Sequence, residues 1–115
     1  MAWPIEVLLP VEPGAGIIAH TVVLSFAHSE DWTQSQAADL GLICDLLWQE
    51  LLTAPLVTTS HWRMSATPTQ LRLDVEGVGG EGGISSTGER MLRRLVAALE
   101  NRAHPYRVTL EIARA

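Results

Sequence analysis

Two segments of the chain alternate strictly between apolar and polar residues: Leu71-Arg72-Leu73-Asp74-Val75-Glu76, and Tyr106-Arg107-Val108-Thr109-Leu110-Glu111-Ile112. A period of two puts every second side chain on the same side of a pleated strand, so each segment is a strand with one face in a core and the other toward water. A chain with two such strands must build a sheet covered on one side only, and the remaining sequence has to supply the cover.

Further elements follow from local signals. Residues 5–9 form a short leading strand, and residues 10–16 (Pro-Val-Glu-Pro-Gly-Ala-Gly) a turn or linker. Residues 17–28, apolar on nearly both faces, read as a central strand that presents Ala19, Thr21, Val23 and Ser25 to the uncovered face. A helix begins near Thr33 or Asp31, each followed three residues later by a glutamine, and ends before Pro55. Its core stripe is Ala37, Leu40, Cys44, Leu47 and Leu51, which leaves Leu42 and Leu46, with Ala38 beside them, on the other side. Residues 56–65 form another strand, joined through Ala66-Thr67-Pro68 to the strand at 70–76. A second helix runs from the capping box Ser86-x-x-Glu89 to about Arg102 and is ended by His104-Pro105.

These elements predict a single α+β domain over residues 1–115. The expected plan is a ferredoxin-like β-α-β-β-α-β sandwich, a four-stranded antiparallel sheet with an extra N-terminal strand and two helices on one face. A chain of this length buries roughly two-thirds of its unfolded surface and needs no staple. The sole cysteine, Cys44, falls on an apolar helix stripe and reads as buried and inert. No apolar run approaches the ~20 residues of a membrane span, and the first residues lack the basic region of a signal peptide, so a cytoplasmic location is the expectation.

The charged residues exclude several chemistries. All eight basic residues are arginine. Without lysine there is no Schiff-base chemistry, no pyridoxal-phosphate anchor and no phosphate-loop lysine. A net charge of −5 disfavours nucleic acid, which calls for a basic face. The glycine-rich stretch carries a formal G-x-G-x-x-G at Gly77, Gly79 and Gly82, with Gly80 and Gly83 beside them. Glu81 would sit beside a bound pyrophosphate, and the helix start lies several residues later, so the stretch reads as a flexible connector. It is expected at the sheet end near Gly14 and Gly16, opposite the loops of His28 and His104. The four histidines show no metal-ligand spacing, and neither a metal nor a cofactor is expected.

Two surfaces remain as candidate interfaces. The open sheet face collects Thr59, His61, Arg63, Arg72, Asp74, Glu76, Arg107, Thr109 and Glu111. The other surface is the Ala38, Leu42 and Leu46 side of the first helix. Trp3, Trp32, Trp48 and Trp62 read as packing residues. The function expected from these surfaces is a non-catalytic protein-interaction or assembly domain that self-associates or docks on a partner protein, with no nucleic acid or membrane as partner. The alternative is a small cofactor-free enzyme, an isomerase or monooxygenase of the dimeric α+β barrel kind. In that case the sheet and helices enclose a pocket, and His20 or His61 acts as acid-base beside Arg63 or Arg72.

Overall fold

The computed structural model describes residues 5–114, so Trp3 lies outside the described residues. Five strands, β1 (Ile5–Pro10), β2 (Thr59–Ala66), β3 (Gln70–Val78), β4 (Ala98–Arg102) and β5 (Tyr106–Ala113), form one open sheet in the order β1-β2-β3-β5-β4. Every neighbouring pair is antiparallel. Among the described residues three helices, α1 (Gly16–Ser29), α2 (Gln34–Thr53) and α3 (Ser86–Arg93), accompany the sheet, with a short 3-10 turn at Pro13–Ala15 leading into α1.

The class is α+β, as the alternating segments require. The topology is not ferredoxin-like, because the elements run β-α-α-β-β-α-β-β and the sheet is ordered differently. Two segments differ from the expectation. Residues 17–28 form α1 rather than a central strand, and their buried side chains Ala19, Val23, Phe26 and Ala27 recur at helical spacing. Packing has overridden the weak strand preference of the β-branched residues. The second correction concerns the last helix, which ends at Arg93; residues 98–102, composed largely of good helix formers, are instead drawn into β4 by pairing with β5. Asn101 fixes this edge by accepting from the Ile84 N–H at 3.0 Å and donating to the Ile84 carbonyl at 3.1 Å.

The alternating strands behave as their pattern demands. Trp62, Met64, Leu73, Val108 and Leu110 point to one side and are fully buried, and they share a core with α1 and α2. The indole of Trp48 on α2 lies against that of Trp62 on β2, with ring centres 6.1 Å apart and planes at 29°. Gly16 permits this seat, since a Cβ there would come within 2.8 Å of the Trp48 ring. At the start of α2, Thr33 and Gln36 form the expected reciprocal capping box.

Candidate functional site

The strand register brings the charged residues of the open face into contact. Arg63 on β2, Asp74 on β3 and Thr109 on β5 lie in one cross-strand row, and Glu76 pairs with Arg107 in the next. Asp74 is fully buried although its side chain belongs to the outward face. Its Oδ2 accepts from Arg63 Nε at 2.9 Å and also from Arg63 Nη2. Its Oδ1 accepts from Arg107 Nε at 2.8 Å and from Thr109 Oγ1 at 2.7 Å. Burial pushes this carboxyl upward, but the hydrogen bonds from Arg107, Thr109 and Arg63, with the charge of Arg63, outweigh it and hold the group below its ordinary value. The same contacts raise Arg107.

The rest of this face continues the pattern. His61 lies 3.2 Å from Glu6 on β1, and Arg72 stands opposite Glu111 with a small recess of about 140 Å³ beside them. Thr59 is at the end of β2, opposite Pro10 and Val78. The expected sheet-face residues therefore share one surface, and Asp74 is satisfied within the chain. Ala19, Thr21, Val23 and Ser25 are not part of it. They belong to α1, where Ala19 and Val23 are buried and Thr21 and Ser25 are exposed.

A different geometry occurs on the outward side of α1 and α2. The two helices leave an open groove of about 600 Å³ lined from α1 by His20, Leu24 and His28 and from α2 by Ala38, Gly41 and Leu42, with Asp45 at one end. The α1 residues are spaced i, i+4, i+8 and the α2 residues i, i+3, i+4, so each helix offers one stripe. Leu42 is 49 % exposed. Leu46, by contrast, is half-buried against the core. The imidazole of His20 crosses the groove, its Nδ1–H donating to Asp45 Oδ1 at 3.1 Å, and it lies over Gly41, where a Cβ would come within 2.9 Å of the ring. Asp45 is 65 % exposed, so its pairing with His20 is solvated. Beneath it, Cys44 is buried, and burial with the Asp45 charge pushes its thiol up to about 12, so it stays protonated at neutral pH.

Sequence reasoning found Ala38 and Leu42 but missed His20, Leu24, Gly41 and Asp45 as their neighbours. The missing signal was the four-residue spacing of Ala19, Val23 and Ala27, which marks α1 as a helix and so creates a groove between two helices.

The glycine-rich segment is placed by packing with the chain itself. Gly77 belongs to β3 and lies under the ring of Tyr106, while Gly80 is buried against Val57, whose Cγ2 a Cβ would approach to 2.0 Å. Gly79, Gly82 and Gly83 take positive φ, which side-chain-bearing residues rarely adopt. Gly82 N–H donates to the Ala103 carbonyl at 2.9 Å, and Glu81 lies 3.6 Å from His104. The segment is thus beside the His104 loop, not opposite it, and His28 is elsewhere, in the groove. The cap of α3 is Ser85, one residue before the expected Ser86, and its Oγ accepts from Gly88 N–H at 3.0 Å. The Glu50 carboxylate reaches over from α2 and accepts from Ser85 N–H at 2.5 Å and from Ser85 Oγ at 3.0 Å.

Among the described residues no group of three or more His, Cys, Asp or Glu side chains could hold a metal ion, and no helix is long and apolar enough to cross a membrane. Among the described residues the space between sheet and helices is filled by Trp62, Met64, Leu73 and their neighbours, and His20 and His61 are part-exposed on the outward sides. A scan against protein-family models finds no match, and neither does a search of curated proteins.

Proposed function

We propose that the chain is a protein-interaction or assembly domain whose docking surface is the groove between α1 and α2. The observation that supports this most is the groove itself. It is an open concavity of about 600 Å³ with Leu24 and the half-exposed Leu42 along it and the small exposed side chain of Ala38 between them and the His20 ring that covers Gly41. Small residues let a partner backbone come close, and apolar side chains in an open groove gain free energy when a partner removes them from water. The open sheet face supports the reading less, because the polar groups at its centre are already paired with one another.

The test is site-specific photo-crosslinking with a benzophenone amino acid at position 38 in the full chain, in the cells that express it. Reproducible crosslinks to one protein, or to a second copy, are the expected result. The control is the same probe at Thr67 in the β2–β3 turn. An equal crosslink pattern from both positions would remove the groove from consideration, as would no crosslink from position 38.

A further inference from the structure

The charges of this chain are divided between its halves in a way that acquires meaning once the fold is known. Every one of the eight arginines lies at or after Arg63, whereas seven of the thirteen acidic residues precede it. The helix pair that forms the groove therefore contains no basic residue apart from its histidines. Arg114 donates to the Asp31 carbonyl at 2.8 Å, in the loop between the helices. At the other end the Asp45 carboxylate is mostly exposed to solvent.

The complementary surface is α3. Its exposed residues Thr87, Arg90 and Met91, with Arg94 at its C-terminal cap, are spaced i, i+3, i+4, i+7 and so form one stripe, with Met91 46 % exposed between two guanidiniums. Arg93 is turned back onto Glu89 at 3.3 Å, but Arg90 and Arg94 have no carboxylate partner among the described residues. Length matches as well. The eight residues of α3 span about 12 Å at 1.5 Å per residue, the same rise that separates His20 from His28 along the groove. A methionine is suited to such a seat, since its unbranched thioether fills an irregular apolar concavity without a fixed shape.

We infer that the occupant of the groove is α3 of a second copy of this chain, with Met91 on the Leu24 and Leu42 surface and an arginine beside it on Asp45. The inference rests on the docking role proposed above for the groove and names the partner. One copy offers a groove and the other a helix, so the contact joins two different surfaces. It closes into a dimer if each copy can serve the other at once, and otherwise it propagates.

Sedimentation velocity over a micromolar to sub-millimolar concentration series tests it, using two variants with opposite defects. Ala38→Arg fills the groove and leaves α3 intact, with Leu42→Arg as a second form of the same defect. Arg90→Glu/Arg94→Glu reverses α3 and leaves the groove intact. All these positions are exposed, and circular dichroism checks that each variant is folded. Wild type is expected to associate, and more weakly as salt is raised. Each variant alone is expected to remain monomeric, while an equimolar mixture regains a complex because it contains one good groove and one good helix. A mixture that stays monomeric overturns the inference, and so does an arginine-reversed variant that associates like wild type. If wild type is monomeric at every concentration the second-copy occupant is lost, and a crosslink from position 38 to another protein would then show the docking role surviving without it.

Discussion

Asp74 and Asp45 each sit on an outward side of the molecule with a basic partner, yet they are physically unlike. Asp74 is fully buried under two guanidiniums and a hydroxyl, whereas Asp45 is 65 % exposed with one imidazole. At the centre of the sheet face the charges satisfy one another, and removing a donor there leaves the buried Asp74 carboxylate short of a partner in an environment that cannot solvate it. The helix face has kept its carboxylate in water, where the pairing contributes little to the fold and remains free to be exchanged for a different one. Charged residues alone therefore do not mark a docking surface; the degree to which they are already satisfied does.

The largest effect that would test this contrast is Asp74→Asn. It leaves Arg63 and Arg107 converging on a neutral amide and is expected to cost about 3 kcal/mol in urea denaturation. A loss no greater than that of an exposed pair would show that the two faces do not differ. The same carboxylate sets a pH dependence. Held below its unfolded value, it contributes stability that is complete above about pH 4 and is lost as pH falls through the folded value. The stability gap between wild type and Asp74→Asn should accordingly shrink as pH is lowered below that point, and a gap that stays constant would mean the carboxylate is not the titrating group.

Removing a single donor sharpens the picture further. Thr109→Val keeps the shape and deletes one hydrogen bond to the buried carboxylate, so a cost of about 1.5 kcal/mol is expected by thermal or urea unfolding. On the helix face, Asp45→Asn should change stability by about 0.5 kcal/mol or less, because its partner is solvated. If that substitution destabilised the chain as much as Thr109→Val does, the groove would be part of the structural framework rather than a surface held in reserve.

The parts of this architecture that could be read in advance are those where one physical signal dominates. Alternation at residues 71–76 and 106–112 placed β3, β5 and the charged face correctly, and Thr33 with Gln36 marked the start of α2. Residues 17–28 failed because a run apolar on both sides suits a buried strand as well as a helix covered by neighbours, and only long-range packing separates the two. Residues 98–102 failed for the opposite reason, since Ala98, Leu99 and Glu100 favour a helix and the free hydrogen-bonding edge of β5 prevailed. The groove inherited the first failure. Ala38 and Leu42 were recognisable on α2, but a groove needs both walls, and the other wall was assigned to the sheet.

The carboxylate of Glu50 above the first turn of α3 bears on the glycine stretch in another way. A helix start attracts anions, and here the chain has brought its own on a tether. Any free phosphate reaching that spot competes with a group that cannot diffuse away, so the contest is between a solute at cellular concentration and a side chain held permanently within bonding distance. The backbone amide of Ser85, the cap of α3, is thus engaged before any ligand arrives, and the glycines preceding it lead to a position the protein has already filled from within.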